Sequence, residues 1–250
     1  YSSLQDNNFD RWLAGAQYFS DESDWTGTFP TRQEFFNLNV LTSNGTMATM
    51  FSAYYNSIND ANNILEILPG VEDVTVDEES RNSILAEARF IRAISYLDLT
   101  QNWGDVHLEL TPTRGVGEEL NVPTSSRAQV LTQIIEDFTF AANNLVASKT
   151  LGATPAAANG FLARIALYQE RWADAESLAS NAIGGDLNAF VANDPEDELF
   201  SIKFISTDGN SLAFFYGPAD LNGRLSISPS ATLVAAFEDG DTRKDKTIAT

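Results

Sequence analysis

The chain has 250 residues, 43% of them apolar and 11% aromatic, enough to bury a substantial core and too apolar for a disordered or fibrous protein. Thirty-five acidic residues against fifteen basic leave a net charge of −20, which repels DNA, RNA or an anionic membrane face over most of the surface, so no nucleic-acid partner is expected. No cysteine is present and His107 is the single histidine, which removes disulfides, Cys-ligated zinc and a thiol nucleophile and leaves a zinc or Ser-His-Asp hydrolase one residue to be built on.

The first periodic segment runs from about Ala48 to Leu68. Ile58, Ala61, Leu65 and Leu68 recur at helical spacing, and Pro69-Gly70 ends it. An acidic loop from Glu72 to Glu79 leads to the second helix, where Phe90, Ala93, Ile94 and Leu97 form one apolar stripe and Gly104 is the stop. Residues 104–124, with Pro112, Gly115, Gly117 and Pro123, read as a long excursion. Ser126 with Gln129 makes a capping box for a third helix carrying Val130, Ile134, Phe138, Ala141 and Leu145. Thr154 as N-cap and Pro155 at the first helical position open a fourth, which runs to about Glu170. A turn at Arg171-Trp172 leads to a fifth with Ala175, Leu178, Ala179 and Ala182 on one face, closed by Gly184-Gly185. Trp103 and Trp172, at helix ends, are assigned to packing. After Asp186, Phe200, Ile202 and Phe204 alternate with polar residues as a short strand would, and the rest is rich in Gly, Pro, Ser, Asn and aromatics. No run of about 18 apolar residues and no basic-then-apolar leader is present, so the chain shows neither a membrane span nor a signal peptide.

The fold class expected is mainly α. Ala163, Ala175 and Ala182 stand 12 and 7 residues apart, the offsets at which tetratricopeptide repeats use small side chains to bring paired helices close. The second and third helices read as another such pair, interrupted by the 104–124 excursion. The expected architecture is therefore tetratricopeptide-like repeats with long irregular insertions and a few short strands. Residues 1–250 are expected to form a single domain, with the repeat core at about 48–186 and an irregular ligand-side region at about 187–250.

The stretch Glu87-Ala88-Arg89-Phe90-Ile91-Arg92-Ala93 with Tyr96, Leu99 and Gly104-Asp105-Val106 resembles the "EARFLRA-x-x-Y-x-x-L…G-D-V-P-L" helix of the SusD/RagB-like family. Asp21-Glu22 before Trp25, Tyr55-Ile58-Ala61-Asn62, Ala163-Arg164 through Trp172-Ala175, Glu198-Leu199-Phe200 and Phe237 to Arg243 resemble further family motifs in the same order. His107 stands where the family has proline, and the helices that follow the "D-x-R" element in the family are not in this sequence. The resemblance implies a lipid-anchored glycan-binding protein on the outer face of the Bacteroidetes outer membrane, partnered with a TonB-dependent SusC-like transporter, the anchor lying outside this chain. It implies a protein truncated at its C-terminus, with no cofactor and no catalytic residue.

A sugar presents an apolar face and a rim of hydroxyls, so its site needs an exposed aromatic beside amide, carboxylate or guanidinium groups. Two loops offer that mixture, residues 24–32 and 214–224. Trp25, Phe29 and Tyr216 are the aromatic candidates, and Arg32, Asn222 and Arg224 the hydrogen-bond donors. No residue is assigned as a metal ligand: no EF-hand-like D-x-[DN]-x-[DN]-G loop is present, and calcium stays an open alternative in so acidic a chain. Two alternatives remain: a tetratricopeptide-type docking scaffold without a small ligand, and a glycoside hydrolase using a pair such as Asp21-Glu22 or Glu118-Glu119.

Overall fold

A computed structural model describes residues 4, 17, 19–72, 77–115, 122–146, 152–187, 190, 199–202, 211–242 and 244. The chain divides into two units, one of residues 1–5 and 54–203, the other of residues 6–53 and 204–250. The expected mainly α fold is present. Among the described residues the helices are α1 Pro30–Phe36, α2 Gly45–Ile67, α3 Glu78–Trp103, α4 Arg127–Asn144, α5 Pro155–Tyr168, α6 Trp172–Ala182, α7 Ser211–Tyr216 and α8 Ala231–Ala236. The strands are β1 Ser23–Trp25, β2 Val106–His107, β3 Thr124–Ser125 and β4 Ile227–Pro229.

In the first unit each helix packs on its successor, α3 on α4, α4 on α5 and α5 on α6, as stacked repeats do. Local chemistry sets the boundaries. Asp77 caps α3 by accepting from the Ser80 amide at 2.7 Å, with Glu78 and Glu79 in the first turn where the helix dipole favours them. This corrects the acidic loop expected to reach Glu79, whose last residues cap and open the helix. Both halves of the Ser126/Gln129 capping box form, and Thr154 caps α5 ahead of Pro155. The 104–124 excursion is less irregular than expected, because β2 and β3 pair antiparallel at its ends.

The core shows why the helices stack in this order. Phe90 of α3, Phe138 of α4 and Phe161 of α5 meet as a ring cluster, with Phe138 and Phe161 stacked at 5.1 Å and Phe90 edge-on to both at 5.4 and 5.7 Å. Phe200 joins at 5.1 Å from Phe90, so this residue is a plug on the cluster and lies in no strand, while Phe204 is outside the described residues. The stripe expected on α3 is also too narrow: every residue from Phe90 to Leu97 is buried, so the helix is enclosed on all sides. Ala163 and Ala182 are buried where α5 meets α6. Trp103 packs edge-on to Tyr54, but Trp172 is 61% exposed, correcting its assignment to packing.

One polar network runs through this apolar interior. Arg92 donates from Nε and Nη2 to the two carboxylate oxygens of Asp137 at 2.8 and 2.9 Å, and from Nη1 to Asn62 Oδ1 at 2.9 Å. Gln133 Nε2 donates to the same carboxylate at 3.1 Å, and Asn62 Nδ2 donates to the Glu109 and Thr111 carbonyls. The Tyr96 hydroxyl accepts from the Glu109 amide and donates to its carbonyl, and Tyr55 donates to the His107 carbonyl at 2.8 Å.

The second unit is organised by β1 and β4, about two hundred residues apart in sequence yet paired antiparallel with Trp25 opposite Ile227. Asn44 pins α1 to the start of α2, donating to the Thr31 carbonyl and the Glu34 carboxylate at 2.7 Å and accepting from the Met47 amide. The Asn44 side chain, helped by the Leu41 amide, holds the Glu34 carboxyl below its ordinary value. Ser230 caps α8 by accepting from the Leu233 amide.

Two outcomes test the first unit. Asp137→Ala leaves Arg92 charged and unpaired in the core and should cost about 3–5 kcal/mol in urea unfolding, whereas Arg92→Met with Asp137→Leu should recover most of that loss. Burial pushes the Tyr55 hydroxyl up to about 12 from 10.0, so the folded chain holds a proton that the unfolded chain has lost. Its stabilising contribution is whole below the unfolded value and falls as pH rises towards 12. Unfolding midpoints measured across that window should decline less steeply in Tyr55→Phe.

Candidate functional site

The second unit carries the candidate residues, and its local structure differs from the two loops expected. Residues 24–32 form the end of β1, a turn at Gly27 and the start of α1, which places Arg32 on a helix. The turn is close-packed: a Cβ on Gly27 would sit 2.6 Å from the Trp25 ring and 2.8 Å from Ser226 Cβ. Thr26 joins the β4 side through its amide to the Ser226 carbonyl at 2.9 Å. Residues 214–224 comprise the end of α7, a 3-10 turn at Ala219–Leu221 and a return. Asn222 ends that turn in the left-handed region at φ 61°, a conformation asparagine tolerates, and its side chain is exposed. Gly223 lies against Gly217, where any side chain would overlap backbone. The return is held by the amides of Arg224, Leu225 and Ser226, which donate to the carbonyls of Phe214, Gly217 and Phe215.

These constraints bring four of the six residues together. Phe29 is the hub: Trp25 is 6.5 Å away by ring centroid, Phe215 meets it edge-on at 5.8 Å, and the guanidinium carbons of Arg32 and Arg224 lie 5.2 and 5.6 Å from its centroid. Arg32 also lies 4.7 Å from the Phe215 ring, and Arg224 5.4 Å from Phe214. Trp25 is half-buried, with its ring stacked on Phe36 at 5.7 Å and its indole N–H buried without a hydrogen-bond partner among the described residues. Asn222 sits on the neighbouring turn and joins no ring contact among those described.

Two cavities flank β1. One, of about 500 Å³, is polar and is lined by Trp25 and Phe36 with Asp21, Asp24, Gln33 and Asn37. The other, of about 530 Å³, is mainly apolar and is lined by Tyr216, Ile227, Leu233, Ala236 and Phe237. Tyr216 thus lines the apolar cavity and not the polar one beside Trp25, and burial pushes its hydroxyl up to about 12. Sequence reasoning missed Gln33 and Asn37. Their signal was present, since Gln33 on α1 and Asn37 at its C-cap stand four apart, one helical turn, beside Phe36. Glu118 and Glu119 lie outside the described residues, and among the described residues no group of three or more His, Asp or Glu side chains is placed to hold a metal ion.

Chemically, the polar cavity offers an aromatic edge, two exposed amides and two carboxylates, a set that matches the ring face and the paired hydroxyls of a sugar. The chain also resembles proteins of known kind. A family model described as "Starch-binding associating with outer membrane" matches residues 5–167, more than half of the chain. A SusD-like protein of Bacteroides ovatus is 27% identical over 140 residues, 56% of this chain and 26% of that protein. A SusD-like carbohydrate binding protein from Bacteroides vulgatus shares the fold over 98% of this chain and 54% of its own, with a TM-score of 0.70 and 20% identity. A laminarin binding SusD-like protein does so over 73% of this chain and 42% of its own, with a TM-score of 0.62 and 23% identity. The chain therefore spans about a quarter of the curated relative and about half or less of these structures. The chain belongs to the SusD-like family, whose model covers residues 5–167 and is described as starch-binding and associating with the outer membrane.

Proposed function

We propose that the chain captures an oligosaccharide or polysaccharide at the outer face of the outer membrane and passes it to a TonB-dependent, SusC-like transporter, without breaking a glycosidic bond. The observation that carries this reading is the polar cavity beside Trp25, where Gln33 and Asn37 present amides and Asp21 and Asp24 present carboxylates. An amide offers a donor and an acceptor side by side and so grips the adjacent hydroxyls of a sugar, while an aromatic edge takes its C–H face. Trp25, Phe29, Arg32 and Arg224 form the continuous part of the proposed site, and Tyr216 and Asn222 its margins. The family description and the laminarin-binding relative support a glycan ligand and a place at the outer membrane. No helix of the described residues is long and apolar enough to cross a membrane, and the reading assigns attachment to a lipid anchor outside this chain.

A docking scaffold is favoured by one separate observation. Leu167, Tyr168 and Trp172, at the turn from α5 to α6, are 49%, 58% and 61% exposed, an apolar surface suited to a protein partner. The two readings differ in which segment a sugar protects from hydrogen exchange: residues 21–37 for capture, and none for a pure scaffold.

Two substitutions test the cavity. In affinity gels of plant, algal and host polysaccharides, with laminarin among them, Trp25→Ala should weaken the bound glycan about tenfold, the scale of one lost aromatic contact. Because Trp25 also packs on Phe36, the exposed pair Gln33→Ala with Asn37→Ala serves as a second probe, expected to leave the melting temperature unchanged and to weaken binding similarly. Unchanged affinity in both folded variants would remove the site from this cavity. Release of reducing ends from the bound polysaccharide would replace capture with hydrolysis.

A further inference from the structure

The apolar cavity beside β4 is the part of the second unit that sugar capture leaves unused. It holds about 530 Å³, within the range of about 300–1,000 Å³ common to small-molecule sites. Ile227, Leu233 and Phe237 give it apolar walls. Two polar groups in the same lining lack the partners that such surroundings demand. The side-chain amide oxygen of Gln17 is buried and accepts no hydrogen bond among the described residues. Its backbone is held in place, because the Gln17 carbonyl accepts from the Ser20 amide at 3.2 Å and from the Ser23 hydroxyl at 3.3 Å. No hydrogen bond from another described residue reaches the Tyr216 hydroxyl, which burial alone pushes up to about 12. A buried acceptor left open is costly, and a ligand that brings an O–H or N–H to it removes that cost.

The chemistry of the lining selects an occupant. An alkyl chain would fill the apolar walls and leave the Gln17 oxygen open, and a bare sugar would turn most of its hydroxyls against those walls. Glu22 adds a carboxylate to the lining in a chain of net charge −20, so a free acid is repelled. What remains is a neutral, flat, apolar ring with a hydroxyl donor for Gln17 and a carbonyl acceptor for the Tyr216 O–H. Position adds a second constraint. Ser23 of β1 lines both this cavity and the polar one beside Trp25, so the two adjoin at one residue. A single ligand can therefore set sugar hydroxyls against Gln33 and Asn37 and an apolar substituent on the other side of β1.

We propose that the apolar cavity is a subsite for a phenolic acyl ester carried by the glycan, such as a hydroxycinnamoyl group, with Gln17 accepting from the phenol and Tyr216 donating to the ester carbonyl. This rests on the glycan-capture reading and names the ligand's class, a polysaccharide that bears neutral aromatic esters. Leu233 and Phe237 supply the apolar contact for the ring, and the Phe237 ring adds the edge-on or offset packing that aromatic pairs prefer.

The test is calorimetric titration of the chain with methyl ferulate, methyl 3,4-dimethoxycinnamate, ferulate and methyl octanoate, beside affinity gels of feruloylated arabinoxylan before and after saponification. Methyl ferulate should bind at least tenfold tighter than the dimethoxy ester, which keeps the ring and loses the donor, and tighter than the anionic acid or the alkyl ester. The feruloylated polymer should be retained more strongly than its saponified form. Gln17→Leu should erase the preference for the free phenol without lowering the melting temperature, since it removes an unpaired buried acceptor. Ala236→Trp, at an exposed position of the lining, should block methyl ferulate. No binding of methyl ferulate by the folded chain, equal binding of the dimethoxy or octanoate ester, or undiminished binding in folded Ala236→Trp overturns the phenolic subsite. So does equal retention, or no retention, of the two forms of the polymer. If other polysaccharides are still retained in any of these cases, glycan capture stands. Binding of methyl ferulate by a chain that retains no polysaccharide overturns capture and, with it, the assignment of the ester to a glycan.

Discussion

The buried contact between Arg92 and Asp137 is the constraint on which the helical unit depends. Both side chains are nearly closed to solvent, at 7% and 0% exposure, so each charge has lost its hydration and has only its partner and the surrounding donors to replace it. Asp137 on α4 can be satisfied only if α3 presents Arg92 at that height. Arg92 in turn needs Asn62 of α2, whose amide also holds the Glu109 and Thr111 carbonyls. A one-turn slip of α3 against α4 would separate the guanidinium from the carboxylate, whereas the surrounding apolar side chains would tolerate such a slip at lower cost. Hydrophobic burial gives the unit its stability and the ion pair gives it register, and the 106–113 segment is positioned because its carbonyls complete the same network.

The second unit obtains its geometry differently. Its strands are three residues long and its helices α1, α7 and α8 have seven, six and six residues, too short to be stable by propensity alone. What fixes them are contacts at backbone distance: Gly27 under the Trp25 ring, Gly223 against Gly217, and the amides of residues 224–226 on the carbonyls of the 214–217 turn. Since glycine is the residue that admits such approaches, the aromatic and cationic side chains beside each turn are held by their neighbours in sequence.

How much of this was legible follows from the kind of interaction involved. The helices of the first unit were readable because their signals are local: the Ser126/Gln129 box, Thr154-Pro155, and Gly104 at φ 76° each act within one turn. The enclosure of α3 was not, because a stripe of Phe90, Ala93, Ile94 and Leu97 shows where one partner packs and says nothing of the others. Nothing local marks Arg92 inside that run as paired, because its partner Asp137 lies 45 positions later. In the second unit Trp25, Phe29, Arg32 and Arg224 were identified by residue type, while their meeting at Phe29 depends on β1 and β4 pairing across most of the chain. Tyr216 was grouped with them by type and faces another cavity because α7 turns it towards Ile227 and Leu233.

The cost of local order around the proposed site bears on its role. Leu225 is held at φ 43°, where a side chain costs roughly 1–2 kcal/mol, and the Trp25 indole N–H is buried without a partner among the described residues, which costs about 1–3 kcal/mol more. Neither feature improves the packing of the unit; each holds a donor or a side chain where a fold optimised for stability alone would not leave it. Strain of this kind persists when the backbone around it over-determines the conformation, and the glycine contacts and the β1/β4 pairing supply that determination.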